Sequence, residues 1–381
     1  MQKQKVSIIG DGLAGLTTAL ILSKLDIQIH LISKNINKIK FSDNRATAIS
    51  PSNYLFLMKH LNSSATKEFW PCNEINLYQE KLNRYYRFMN FSKNKKKLMY
   101  IFHNTKLKKL ILKNINKKNN IKIIKKNVKN IDSSTSSVFF KKTKIKYDLI
   151  ILCLGKNSQL ISDLSSKRFI EDESGEIALT SFVKHNLVIS DPKQYFLKEG
   201  PLAILPVNKK KFSFVWSVDK SFKNYNVNEL RNLVILKLKN ILDKNIKISL
   251  GEILSFPISF KINTNFTKNN LLVLGDSSYN IHPVAGQGFN LIFRDIIELY
   301  EKIRSQISLG LHINDKLLLE KFLNSRKPEN LLFGLGINFT NKFFKNNEFT
   351  QPFKDFLLRD INKYKFLKDI SIKISDKGIL N

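Results

Sequence analysis

Two glycine-containing strings, far apart in the chain, hold the residues best suited to chemistry. The first, Gly10-Asp11-Gly12-Leu13-Ala14-Gly15, follows the apolar run Val6–Ile9 and precedes a helical pattern over Leu16–Leu25. In this setting Gly10 permits a tight turn, Gly12 lets a pyrophosphate approach the backbone, and Gly15 allows close helix packing. The N–H groups at the helix start, on Leu13 and Ala14, then face the phosphates. Such a glycine pattern arises often by chance, but between a strand and a helix it reads as a dinucleotide cradle. An acid is expected at the end of the second strand to bind ribose hydroxyls. Here Leu31-Ile32 is followed by Ser33, which offers only a weaker, neutral hydrogen bond.

The second string runs from Leu271 to Leu291 and contains Gly275-Asp276, His282-Pro283 and Gly286-Gln287-Gly288, with Asn290 inside the following helical pattern. A strand ending in Gly275-Asp276 can present its carboxylate to a polyol such as the ribityl chain of a flavin. Pro283 to Gly288 forms a rigid, glycine-rich approach to a helix whose positive end could face the electron-rich pyrimidine of a reduced flavin. Pro283, Gly286 and Gln287 are therefore candidates for the catalytic face. His282 could poise a proton there, although a hydrogen-bonding histidine that merely holds a turn is the commoner case. No Ser/His/Asp or Cys/His arrangement for a nucleophile stands out, and no spacing suits a metal.

The elements that must position these strings follow from periodicity. Val6–Ile9, Leu16–Leu25 and Ile27–Ile32 form a βαβ unit, and a helix is expected over Ala46–Leu61. Ile75–Phe91 alternates like strands, Asn104–Ile115 is helical, Ile121–Ile124 is a strand, and hairpin-like segments run to Phe140. Tyr147–Leu154 is the continuous apolar run of a buried parallel strand. Strands are expected at Ala178–Val183, Leu187–Ile189, Leu202–Val207 and Phe212–Val218, around a helix from Asn228 to Leu242. Leu271–Leu274 is again a buried-type strand, Phe289–Ile303 a helix, and Lys316–Ser371 mainly helical. The fold class is α/β: a discontinuous Rossmann-like FAD-binding domain (1–72, 105–176 and 268–310), a sheet-rich substrate domain (73–104 and 177–267) and a helical C-terminal region (311–381).

Bulk properties bound the partners. The chain has 381 residues, 43% of them hydrophobic, which suits a packed protein of two or three lobes. Its net charge of +33 raises the question of nucleic acid or an anionic membrane. The lysines spread through every segment, as a biased composition would place them, and no nucleic-acid module accompanies them. Only Cys72 and Cys153 are present, which suits a reducing compartment. No apolar run is long enough to span a bilayer and none at the N-terminus resembles a secretory signal, so a cytoplasmic location is expected, including the inner face of the membrane.

With both strings in view, the chain resembles the UbiH-like branch of the single-component aromatic hydroxylases, the flavin hydroxylases of ubiquinone biosynthesis. Asp43-Asn44-Arg45-Ala46-Thr47-Ala48-Ile49 resembles that family's D-x-R-x-x-A-L segment, whose arginine contacts the flavin. Gly200 to Pro206 is similar to its G-P-x-A-L-L-P strand, and Ser213 to Ser217 to its S-x-V-W-S strand. Leu98 to Asn104 resembles its strand-to-helix entry, where a glutamate usually stands at His103. Arg294-Asp295 and Arg326 also fall where the family has them. One segment departs. Where the family reads A-D-G-x-x-S-x-x-R, this chain has Cys153-Leu154-Gly155 leading to Ile161, so the aspartate and the arginine are gone.

The resemblance implies hydroxylation of a polyprenylated phenol precursor of ubiquinone, with reduced FAD and O₂ giving a flavin C4a-hydroperoxide. FAD would be held by the first glycine turn together with Ser33, Arg45, Gly155, Gly275, Asp276, Gly286, Gln287, Gly288 and Asn290. Leu205, Pro206 and Trp216 would border the substrate, with ordinary sheet packing an equal reading for Trp216. Met58, Tyr85, Tyr86 and Phe88 read as core. The electron source would be NAD(P)H or a ferredoxin-type donor. Partners would be other ubiquinone-biosynthesis proteins and a lipid surface, docked through Phe339–Phe344 and Phe353–Leu367. The rivals are a flavin-dependent reductase or dehydrogenase, and a degenerate member kept as a scaffold.

Overall fold

The computed structural model describes residues 3–36, 45–82, 84–93, 96–155, 160, 169–263, 266–281, 286–344 and 361–379. The N-terminal unit is β1 (Lys5–Ile9), α1 (Leu13–Leu22) and β2 (Gln28–Ile32). β1 is central in a sheet that also contains β8 (Ile121–Ile124), β12 (Leu149–Leu152), β19 (Thr267–Lys268) and β20 (Leu271–Val273), in the order β19-β20-β12-β1-β2-β8. β12, β1 and β2 run parallel and are buried on both faces, mostly with apolar side chains, as strands covered on both sides are. α1 lies against α3 (Asn104–Ile115) and α5 (Gly288–Ser308). A small antiparallel sheet, β9 (Asn130–Asp132), β10 (Ser137–Phe139) and β11 (Lys144–Lys146), adds Ile131 and Val138 to the same core.

The expected helix over Ala46–Leu61 is only half helix. Ala46–Ile49 is strand β3, paired antiparallel with β7 (Met99–His103), which also pairs with β4 (Phe69–Cys72). α2 covers only Pro51–Met58. Ser50 is extended and its hydroxyl accepts the Asn53 amide, while Pro51 fits the first helical turn, where no amide is needed. The break is thus set at Ser50-Pro51.

A second large sheet is built from β5 (Glu74–Lys81), β6 (Arg84–Ser92), β13 (Phe169–His185), β14 (Lys193–Leu197), β15 (Gly200–Asn208), β16 (Lys211–Asp219), β17 (Ile248–Leu250), β18 (Leu254–Asn263) and β21 (Tyr279–Asn280). Its order is β21-β18-β13-β16-β15-β14-β5-β6, with β17 on one side of β13. β13 starts at Phe169 and so runs across the anticipated boundary at residue 176. Leu187–Ile189 is not a strand; the chain bends there and β14 forms further on. The outer face of this sheet carries Leu202, Ile204, Phe212, Phe214 and Trp216, packed on Val234 and Leu238 of α4 (Val227–Leu242). A capping box fixes the start of α4, with Asn226 and Glu229 each accepting the other's amide. The period-two alternation turns Ala203, Leu205 and Val207 of β15 the other way, with Ser213 and Phe182 beside them by register.

α5 is clamped to α6 (Lys316–Phe344) by buried charges. Arg326 donates to Asp295 at 2.6 Å and to Glu329, Arg294 donates to Glu329 at 3.0 Å, and Asn330 bridges Asp295 (2.9 Å) and Tyr279 (2.6 Å). α7 (Lys365–Lys377) closes on α2, where Asp376 accepts the Ser52 amide at 2.8 Å and its hydroxyl at 2.9 Å.

Both cysteines are reduced and buried. Burial pushes the Cys153 thiol up to about 12 and raises Cys72 further. A thiol reagent at pH 8 should therefore leave the folded protein unlabelled over minutes and modify both thiols in denaturant. Prompt labelling of the native chain would contradict this packing.

Candidate functional site

The first string forms the turn its glycines suggest. Gly10 has φ +124°, and a Cβ there would overlap the Cys153 carbonyl of the neighbouring strand end. Its amide donates to the Ile32 carbonyl at 3.0 Å, which pins the turn to the end of β2. A Cβ on Gly15 would overlap the Gly10 carbonyl, so the helix can approach the strand only without one. Gly12 differs from both. It caps α1 with extended backbone, φ −67° and ψ 172°, and among the described residues an added Cβ would meet nothing within 4 Å. Open space therefore lies over the start of α1, whose first amides have no partners inside the helix.

The Gly275-Asp276 end of the second string comes to the same place. Gly275, at φ +89°, packs so closely that its Cβ would lie 3.2 Å from that of Ala14, at the start of α1. Asp276 next to it is exposed. Ser277 donates to the carbonyls of Leu154 and Gly155, tying the end of β12 into the cluster. Gly286, at φ +62°, has a similar approach to Ala48 of β3, at 3.3 Å. Asn290 holds that junction: its side chain accepts the Ser50 amide at 2.8 Å and donates to the Ala48 carbonyl at 3.3 Å. It also accepts from Asn53 at 3.1 Å. Asn290 is thereby committed to joining β3 and α2 to the start of α5.

Gln287 and Gly288 begin α5, and Gln287 is buried with its side-chain oxygen lacking any hydrogen-bond partner among the described residues. A buried acceptor left open is costly unless a ligand donates to it. Neither α1 nor α5 carries an acidic residue in its first turn, so both helix starts keep their partial positive charge. Arg45 lies just before β3, its guanidinium 4.8 Å from the Phe256 ring of β18. Ser33 directly follows β2 and donates to the Asp11 carboxylate at 2.8 Å. His282 and Pro283 lie outside the described residues, as do Asp43, Asn44 and Ile161.

Leu205 sits on the inner face of the large sheet, in a cluster with Phe182, Val207, Ala46, Ala48 and Ile101. Pro206 alternates toward the opposite face. Trp216 is fully buried on the outer side, edge-on to Phe222 and in one cluster with Leu238, which corresponds to the sheet-packing reading. Met58 packs partly against the core, Tyr85 packs edge-on to Tyr195, Tyr86 is exposed, and Phe88 meets Phe196 and Phe344. Sequence reading missed the stack of His103 on Phe182 (4.6 Å) with the Lys211 ammonium 4.5 Å from the same ring. Residues this far apart in sequence carry no local signal of the contact.

These residues fit an FAD: an open phosphate cradle at Gly12, an acidic strand end at Asp276 beside it, and an unpartnered buried acceptor at the start of α5. Among the described residues no group of His, Cys, Asp or Glu is placed to hold a metal ion, and no helix is long and apolar enough to cross a membrane.

Comparison with known proteins gives a concordant picture. Residues 3–308 match the sequence profile of a family described as an FAD binding domain. A mitochondrial ubiquinone biosynthesis monooxygenase of Dictyostelium discoideum is 30% identical over 215 residues, 48% of this chain and 43% of the relative. The ubiquinone hydroxylase UbiL of Rhodospirillum rubrum is 30% identical over 145 residues, 36% of this chain and 33% of the relative. The 3-demethoxyubiquinol 3-hydroxylase of Escherichia coli is 26% identical over 159 residues, 40% of each chain. These matches span less than half the length of each relative. In fold, the chain is similar to the p-nitrophenol 4-monooxygenase of Pseudomonas putida (TM-score 0.80, 15% identity, 99% of each chain covered). It is also similar to Klebsiella pneumoniae HpxO complexed with FAD and uric acid (TM-score 0.73, 14% identity, 99% and 98% covered).

Proposed function

The chain belongs to the FAD binding domain family, and from that membership we propose that it is an FAD-dependent monooxygenase that hydroxylates the aromatic ring of a polyprenylated ubiquinone precursor. The observation that carries this reading is the packing of the Gly275-Asp276 turn onto Ala14 at the start of α1, beside the space left at Gly12. Kinship with three ubiquinone-biosynthesis hydroxylases supports the substrate class.

Bound FAD, once reduced, supplies the electrons that activate O₂. The chain's own residues do the rest. The Gly12 turn and the amides of Leu13 and Ala14 bind the pyrophosphate, and Asp276 accepts hydrogen bonds from the ribityl hydroxyls. The positive start of α5, at Gln287 and Gly288, stabilises negative charge on the flavin pyrimidine. The apolar inner face, with Leu205, Val207 and Phe182, keeps water from the reacting oxygen, which would otherwise be lost as hydrogen peroxide. NAD(P)H or a ferredoxin-type protein would be the electron donor. The purified, FAD-loaded protein, given a prenylated phenol and a reductant, should consume O₂ in step with product and place one atom of isotopically labelled O₂ in the ring. Turnover without O₂ uptake would favour a reductase instead, and a colourless protein that takes up no FAD a scaffold.

Lipid contact is part of the same proposal, since a prenylated substrate partitions into membranes. α7 turns Asp376 toward α2, while Phe366, Leu367 and Ile370 are exposed among Lys365, Lys368 and Lys373. Residues 345–360, which contain part of the anticipated docking stretch, lie outside the described residues. The protein should float with vesicles containing anionic lipid and less well with neutral ones; absence of binding to both would refute docking.

A further inference from the structure

The end of β2 is the position from which an acid binds the adenosine ribose of a dinucleotide, and in this chain it is Ser33. A carboxylate nevertheless stands beside it. Asp11 occupies the first variable position of the glycine turn, and its Oδ2 accepts the Ser33 hydroxyl at 2.8 Å. The Gly10 amide bond to the Ile32 carbonyl holds the turn against the same strand end. Ser33 Oγ accepts the Asn35 amide at 3.2 Å, so its only proton is given to Asp11 and one lone pair is already used. Asp11 is half-buried, and its other oxygen, Oδ1, has no hydrogen-bond partner among the described residues.

A carboxylate inside a phosphate-binding turn opposes the charge it is meant to cradle, unless it is held aside. The bond to Ser33 does that: it draws the charge away from the open space over Gly12 and toward the end of β2. We propose that Asp11 has taken over the role of the missing strand-end acid, with its carboxylate accepting the hydroxyls of the adenosine ribose of FAD and Ser33 as its positioning residue. This rests on the FAD reading above. The acid is thus supplied by the turn rather than by the strand, at nearly the same place. Hydroxyl donation to a carboxylate is charge-assisted, which gives the ribose end the grip that a serine alone would lack. The same charge repels a ribose carrying a 2′-phosphate.

The test is a comparison of two ligands, FAD and an FAD analogue lacking both hydroxyls on the adenosine ribose, each titrated into apoprotein by flavin fluorescence. Wild type should prefer FAD by about 10- to 100-fold, as hydrogen bonds to a charged group predict. Asp11→Ala should bind both ligands alike, at about the wild-type affinity for the analogue. Ser33→Ala should lose part of the preference, and Asp11→Ala combined with Ser33→Glu should regain it. Melting temperatures of the apoproteins report whether each variant folds, and the double variant provides a second arm if Asp11→Ala does not. An Asp11→Ala protein that keeps the full preference, or a wild type that shows none, would overturn the proposal. A wild type that binds neither ligand would overturn the FAD reading beneath it.

Discussion

Gly12→Val should fold normally and bind FAD at least about 100-fold more weakly, whereas Gly10→Ala should fail to give a stable protein. The two glycines are neighbours in one turn, but their surroundings differ. Gly10 has a left-handed φ and a carbonyl where its Cβ would sit, so even a methyl group must move backbone. Gly12 has backbone angles any residue can adopt and an open volume beyond its Cα. A valine there costs the fold little but fills the space through which a pyrophosphate must approach. Thermal unfolding of the apoprotein and flavin fluorescence titration separate the two effects. A Gly12→Val protein that retains wild-type flavin affinity would show that the open space is not the phosphate site.

Arg326→Met should cost about 3–5 kcal/mol of stability, since it strands the buried Asp295 without its cation and leaves Glu329 to Arg294 alone. Asp295 is fully buried and Glu329 nearly so, and both lean on Arg326. Burial already raises the Asp295 pKa, with Arg326 acting in the opposite direction. Without the arginine that rise is larger. A carboxyl whose pKa is raised on folding contributes stability below its unfolded pKa and loses it as pH rises through the folded value. The deficit of the variant should therefore be smallest near the ordinary carboxylate range and grow as the pH rises above it. Urea unfolding at pH 5 and pH 8 checks both size and slope. The exposed pair Lys3–Asp26 is the control, because screening leaves a surface pair little to contribute. If Lys3→Ala and Arg326→Met unfold at the same urea concentration, the cluster does not hold α5 to α6.

The residues behind these two predictions differ in how openly their neighbours in the chain declare their roles. Gly10, Gly12 and Gly15 declare the turn because each glycine answers a separate steric demand in a fixed local geometry. Gly275-Asp276 is legible for the same reason, as a strand end followed by a turn. Arg326 stands out only through resemblance to a family; Glu329 is one turn away on the same helix, but that Arg326 meets Asp295 inside the protein is a property of how α5 crosses α6. The expected helix over Ala46–Leu61 goes astray because short apolar runs suit either period. What decides it is β7, which offers Ala46–Ile49 a pairing edge that no nearby residue announces.

Residue order alone sets the local devices: the βαβ unit, the phosphate turn, the buried strand Leu149–Leu152 and the break at Ser50-Pro51 all depend on residues a few positions apart. Which of these devices meet is settled only when the whole chain packs. Packing brings Gly275 onto Ala14, sets Trp216 against α4 rather than toward β3, and joins Asp11 to Ser33. Each of those contacts closes a loop in the chain or fixes the face of a strand, and both are set by the docking of whole elements, which the periodicity of a single chain does not encode.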